Sequence, residues 1–102
     1  MDLDKEKILF LLKENMSLIK DKFNVKHISL FGSYAKGNYS EKSDIDFLVE
    51  YEDKFENDIS NELDLQVFLY NLFKKDIGLC EKNRVNKDIL REILKSNIVE
   101  IC

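Results

Sequence analysis

Gly32-Ser33-Tyr34-Ala35-Lys36-Gly37, followed after six residues by Asp44-Ile45-Asp46-Phe47-Leu48-Val49, is the stretch whose reading decides the fold. The apolar run Lys26-His27-Ile28-Ser29-Leu30-Phe31 leads into it and predicts a strand. Gly32 breaks that strand. Ser33 to Ala35 or Lys36 predicts a short helix, and Gly37 suits its C-terminal end. Asn38-Tyr39-Ser40-Glu41-Lys42-Ser43 is polar and predicts a loop. Residues Asp44 to Tyr51 then predict the clearest strand of the chain, with Ile45, Phe47 and Val49 alternating onto one face.

Outward from this core, residues 4–23 carry Ile8, Leu12, Met16, Ile19 and Phe23 at helical spacing, which predicts one amphipathic helix. Asp4 and Glu6 near its start and Lys20 and Lys22 near its end favour the helix dipole. Residues 52–58 are acidic and polar, hence an exposed connection. Asp58 can cap a helix running to about Phe73, with Ile59, Leu63, Val67 and Tyr70 on one side. Lys75 to Cys80 predicts a third strand. Asn86 can cap a last helix with Ile89, Leu90, Ile93 and Leu94 buried, and Ile98 to Ile101 adds a short final strand. The order α-β-α-β-α-β-α-β argues for a sheet packed against helices.

The 102 residues suit one domain over 1–102, with 44% apolar residues to build a core and 35% charged residues to solvate it. Repeats and proline are absent. The start Met1-Asp2-Leu3-Asp4-Lys5 has no signal-peptide character, and the longest purely apolar run, Ile8 to Leu12, is far below the ~20 residues that span a bilayer. A cytoplasmic protein that does not enter a membrane is the expectation. Cys80 and Cys102 form neither a disulfide framework nor a zinc site and read as reduced thiols. His27, the single histidine, reads as a polar residue at a strand start. The net charge of −4 is uneven: residues 1–70 hold 15 acids and 9 bases, residues 71–102 hold 5 acids and 7 bases. Such a surface repels long nucleic acids. Lys74, Lys75, Lys82, Arg84, Lys87, Arg91 and Lys95 are either a solvated face or a place to meet phosphates or an acidic partner.

Asp44 and Asp46 are two apart on a strand, so they point to the same face with Cα atoms ~6.6 Å apart. Two ionised carboxylates there repel, and a divalent cation between them removes the penalty. Magnesium takes hard oxygen ligands and keeps water and phosphate as the rest. Two such ions ~3.5–4 Å apart clamp an in-line attack on phosphorus. Alone, the pair also fits a polar strand face turned to water. Gly32-Ser33, ending a strand and opening a helix, adds a backbone that phosphate can approach, free amides and a hydroxyl. Together they offer a phosphate cradle and a metal pair.

The joint pattern, Gly-Ser, ten residues, then Asp-x-Asp with an apolar tail, resembles the signature of the DNA polymerase beta-like nucleotidyltransferase superfamily. Over essentially the whole chain the element order resembles its minimal, stand-alone members. The resemblance implies an α/β (α+β) nucleotidyltransferase fold, a small mixed sheet of about four strands flanked by helices. It implies Asp44 and Asp46 as catalytic metal ligands, Gly32 and Ser33 holding the leaving pyrophosphate, and two Mg2+ ions with ATP as substrate. It implies a third carboxylate on a neighbouring strand that holds the catalytic metal and helps deprotonate the acceptor hydroxyl, for which Asp76 is the best match and Asp64 a rival in a helical context. Gly78 departs from the bulky apolar residue the family prefers just after that aspartate. Lys36 stands where the family often has arginine; lysine keeps the charge without the forked geometry, and a phosphate contact by Lys36 is expected. Ser43, before Asp44, is expected to steady the metal loop or cap the strand.

Minimal nucleotidyltransferases resemble antitoxins paired with a HEPN-type ribonuclease toxin. The resemblance therefore implies transfer of AMP to a toxin tyrosine, and leaves homo- or hetero-oligomerisation open. Two alternatives stand beside it: an antitoxin that masks its toxin by contact alone, and a nucleotidyltransferase acting on a small hydroxyl compound. The 59–73 helix is apolar on more than one face, so Phe68, Leu69, Leu72 and Phe73 offer either a partner surface or part of the core.

Overall fold

The computed structural model of the chain describes residues 3–101. Four strands form one sheet in the order β3-β2-β1-β4. They are β1 (Val25–Phe31), β2 (Ile45–Tyr51), β3 (Ile77–Glu81) and β4 (Val99–Glu100). β1 runs antiparallel to β2 and β4, while β2 and β3 are parallel. The mixed four-stranded sheet is the one expected. Strand ends differ from expectation by a residue or two, and the last strand is only Val99–Glu100. Cys102 lies outside the described residues.

One face of the sheet carries Val25, Ile28, Leu30, Ile45, Phe47, Val49 and Tyr51, all buried. Against it pack α1 (Lys5–Glu14), α2 (Met16–Phe23) and α4 (Ile59–Phe73), through Ile8, Leu12, Ile19, Phe23, Leu65, Leu69 and Phe73. The other face carries His27, Ser29, Asp46, Leu48 and Glu50. Over it lies α5 (Lys87–Lys95), whose Leu94 borders a ≈ 410 Å³ cleft with His27, Ser29, Leu48 and Glu50. The short α3 (Ser33–Lys36) joins β1 to the loop before β2.

The single helix expected over 4–23 is two helices. At Asn15 the backbone leaves helical geometry (φ −105°, ψ 9°), and the Asn15 side-chain amide donates to the Leu11 carbonyl at 2.8 Å. A side chain that competes for a helix carbonyl bends the helix at that point. The buried stripe survives the bend, although Met16 is only half-buried.

The helix from 59 to 73 is present and capped by Asp58, which accepts from the Asn61 N–H at 3.0 Å. Its facing differs from expectation. Leu69 and Phe73 are buried and Phe68 and Leu72 pack against the core, so these four do not form a free surface. Ile59, Leu63, Val67 and Tyr70 are instead 56%, 53%, 59% and 47% exposed. The rotation follows from Glu62, which occupies the buried row and is held there by Arg84. In α5 only Ile93 is fully buried, because the helix covers an already polar face; Leu90 is half-buried, and Ile89 and Leu94 are exposed.

Arg84 is exposed but paired. Its guanidinium bonds the Glu62 carboxylate and stands 3.8 Å from that of Glu81. Glu81 is 1% exposed, and both of its oxygens accept from the Asn57 N–H at 3.1 Å. The Tyr51 hydroxyl donates to Glu62 at 3.5 Å. Burial first, then the charges of Glu62 and Glu81, push the Tyr51 phenol up from its ordinary 10.0. The cluster ties β2, β3, α4 and the 52–58 connection at the end of the sheet away from Asp46. Removing Arg84 leaves two inward carboxylates without their cation. Arg84→Ala is therefore expected to lower stability by about 1–3 kcal/mol. The same change at Arg91, whose pair with Asp88 is solvent-exposed, is expected to cost less than about 0.5 kcal/mol. Urea unfolding of both variants checks the contrast.

Candidate active site

β1 delivers its chain end, Phe31, beside Asp46 of β2, and β3 places Gly78 on the other side of Asp46. Asp46 thus sits between the turn into α3 and the adjacent parallel strand. Gly32 has φ +78°, a backbone region that favours glycine. A Cβ built there would run into Asp46 Oδ2, and one built at Gly78 would lie 2.5 Å from Asp46 Oδ1. Each carboxylate oxygen occupies the space that a side chain on either neighbour would need. The Asp46 carboxylate is seated between two bare Cα atoms.

That seat has an electrostatic cost. Asp46 is partly buried, and burial first and the nearby Asp44 charge second raise its pKa from 3.8. Asp44, just before β2, is exposed. One desolvated carboxylate beside a solvated one, both acceptor-only when ionised, is a donor set suited to a hard divalent cation. The residues fit a metal of that class at the Asp44–Asp46 pair.

Asp76 precedes β3, and its carbonyl accepts from the Ile45 N–H at 3.0 Å. With Ile45 opposite Ile77, the register carries Asp76 beside Asp44 and Gly78 beside Asp46. Asp76 and Asp44 border one open cleft of ≈ 420 Å³ with Ser43 and Tyr70. Among the described residues no three His, Cys, Asp or Glu side chains converge as a metal cluster. The structure thus brings Asp44 together with Asp46 and with Asp76, without gathering all three around one point. Asp64 is an exposed residue of α4, away from the pair in sequence and element.

Ser33 opens α3, whose first-turn amides have no acceptor within the helix. Lys36 borders a second open cleft, ≈ 420 Å³, with Gly32, Glu92 and Lys95. Ser43 closes the loop before β2: its Oγ accepts from the Ser40 N–H at 2.9 Å. Lys75 clamps the same loop from outside, donating from Nζ to the Glu41 carbonyl at 2.6 Å. Gly78 is a contributor that sequence reasoning did not place at the site; Lys75 and Lys95, expected either as solvated bases or as a place to meet phosphates or an acidic partner, border the two clefts. Only the parallel register of β2 and β3 reveals the role of Gly78. A larger cleft, ≈ 770 Å³, is lined by Tyr34, Tyr39 and Lys75 and includes neither Asp44 nor Asp46, so its size is not a guide to the chemistry.

With this geometry in place, comparisons identify the family. The polymerase beta nucleotidyltransferase model matches residues 13–102. The chain belongs to the polymerase beta nucleotidyltransferase family. A Methanocaldococcus jannaschii relative, MJ1379, provisionally named a protein adenylyltransferase, is 30% identical over 91 residues, which is 89% of this chain and 91% of that one. A solved structure provisionally called a minimal nucleotidyltransferase superposes with TM-score 0.78 at 21% identity, covering 92% of this chain and 93% of its own. A toxin–antitoxin structure with AMP-PNP gives 0.69 at 24% identity over 98% of this chain and 73% of that one. A tri-AMPylated Shewanella oneidensis HEPN toxin in complex with an MNT antitoxin gives 0.60 at 21% identity over 96% and 68%. At these identities the structural likenesses carry the fold, and the fold is that of a minimal nucleotidyltransferase. Among the described residues no helix is long and apolar enough to cross a membrane.

The raised pKa of Asp46 has a definite sign in stability. The folded protein holds this proton more tightly than the unfolded chain, so protonation favours the fold. That advantage is present below 3.8 and is lost as pH rises through the raised value. At pH 7 without divalent cation the ionised carboxylate weakens the fold. Asp46→Asn is expected to melt at a higher temperature than wild type at pH 7, with the gap closing as pH falls towards 3.8. Thermal unfolding in EDTA across that range checks it; a gap independent of pH contradicts it.

Proposed function

We propose that this chain transfers AMP from ATP to a hydroxyl of a protein partner, a tyrosine of a HEPN-type toxin, and acts as its antitoxin. The observation that carries the reading is the Asp44–Asp46 pair, with Asp46 wedged between Gly32 and Gly78 beside the first turn of α3. Membership of the nucleotidyltransferase family supports the reaction class. The related names and folds, a protein adenylyltransferase and toxin–antitoxin complexes, support the acceptor and partner.

Mg2+ bound with the triphosphate would neutralise phosphate charge and polarise the α-phosphorus for attack. Asp44 and Asp46 would hold that ion. The Ser33 hydroxyl and the free amides of the α3 first turn would bind the β- and γ-phosphates, with Lys36 on the exposed side. The acceptor oxygen bonds to the α-phosphorus as the bond from that phosphorus to the bridging oxygen of the β-phosphate breaks, and pyrophosphate leaves. Asp76 borders the cleft that opens on Asp44 and is placed to take the hydroxyl proton. Ser43 and Lys75 hold the loop that carries Asp44 to the site. The chain's own contribution is position and fixed charge.

A protein acceptor suits the surface beside this cleft. The exposed apolar row Ile59, Leu63, Val67 and Tyr70 runs along α4 and ends at Tyr70, which borders the cleft with Asp44 and Asp76. An apolar row of this kind on a helix is a docking feature for another protein rather than for a small polar hydroxyl compound. The masking antitoxin keeps one specific observation in its favour: Gly78 leaves no carboxylate on the strand position that faces Asp46.

With α-labelled ATP, Mg2+ and a co-expressed HEPN partner, label is expected on the partner. Asp44→Ala and Asp46→Ala are each expected to reduce transfer by at least ~100-fold. Equal transfer by these variants would sink the enzymatic reading. Full neutralisation of the toxin in cells by the double variant, with no label on the partner from wild type, would establish masking instead.

A further inference from the structure

Asp46 of β2 has β3 as its neighbour on one side, and Gly78 is its partner there. Asp76, just before β3, accepts through its carbonyl from the Ile45 N–H and borders a cleft with Asp44, just before β2. A Cβ at 78 would lie 2.5 Å from Asp46 Oδ1, so any side chain there would enter the space of the Asp46 carboxylate itself. Position 78 is therefore where a third protein oxygen for an ion held at Asp46 would originate on this strand. Glycine supplies none. The third described carboxylate on this side, Asp76, faces the Asp44 end and opens into the cleft shared with Tyr70.

We propose that Gly78, which supplies no oxygen, limits this site to one divalent ion held by protein carboxylates, those of Asp44 and Asp46, with water and the bound triphosphate as the source of its remaining ligands. This rests on the nucleotide-site reading above and sets the metal content at one ion where the family resemblance implies two. Asp76 is then free of metal and remains a proton acceptor at the cleft. Gly78 acts as a positioning residue: its missing side chain lets the Asp46 carboxylate lie where it does.

The test is a titration of the full chain with Mn2+ alone, following the free-ion electron paramagnetic resonance signal, with thermal unfolding in parallel. Wild type is expected to bind one ion per chain. Asp76→Ala is expected to bind Mn2+ within twofold of wild type. Gly78→Ala fills the space without adding an oxygen and is expected to bind at least threefold more weakly. Gly78→Asp crowds the Asp46 carboxylate in the same way but adds the oxygen, and is expected to bind at least tenfold more tightly than Gly78→Ala, with its melting temperature raised more by Mn2+ than that of Gly78→Ala. Two ions on wild type, one of them lost in Asp76→Ala, would overturn the proposal, and neither chain carries a substitution at 78. So would a Gly78→Asp variant that folds and binds no better than Gly78→Ala. If Asp46→Ala binds Mn2+ as wild type does, the nucleotide-site reading itself fails. If Asp46→Ala loses the ion while Gly78→Asp gains nothing, only the present inference fails.

Discussion

The seat of one carboxylate organises this protein. Asp46 lies on the middle pairing of the sheet, bordered by β1 on one side and β3 on the other. Its oxygens fill the volume that side chains at 32 and 78 would take. The turn out of β1 is favoured as glycine by its own φ of +78°, and side chains at either position would displace the Asp46 carboxylate. The seat also concentrates negative charge at a partly desolvated point beside a second carboxylate, Asp44. The proposed cation would relieve that penalty.

The rest of the molecule holds this point rigidly. The apolar face of the sheet carries α1, α2 and α4, so the strands that flank Asp46 are fixed by a continuous core. At the end of the sheet away from it, Arg84 neutralises Glu62 and Glu81 and pins α4 to β3. The register of β3 decides what faces Asp46, and that cluster grips its last residue. At the near end, Ser43 and Lys75 restrain the loop that delivers Asp44. The two ends of the sheet thus do different work: one stores a satisfied charge cluster, the other presents an unsatisfied one.

Much of this was legible in the sequence because local chemistry dictated it. Gly32 and Gly37 bracket a four-residue helix, and alternation of Ile45, Phe47 and Val49 marks a strand buried on one face. Asp58 and Asn86 announce the starts of α4 and α5 as N-caps. What sequence hid were choices made by distant partners. α4 has two apolar rows, and the row containing Glu62 is the buried one because Arg84, 22 residues later, meets it. Asn15 looks like an ordinary surface residue of a helix until its amide takes the Leu11 carbonyl. Gly78 read as an interruption near Asp76, and only the parallel pairing of β2 with β3 sets it against Asp46. The Asp44–Asp46 pair and the Gly32-Ser33 turn are where sequence expected them, side by side at one end of the sheet.

The proposed function requires a nucleotide held across β1, α3 and β2. The most direct measurement of that claim is an amide chemical-shift titration of the 15N-labelled chain with AMP-PNP and Mg2+. The account predicts the largest shifts at Gly32, Ser33 and residues 44–46, and their disappearance when Mg2+ is withdrawn. Shifts gathered instead around Tyr34, Tyr39 and Lys75, in the larger cleft without the carboxylate pair, would contradict it.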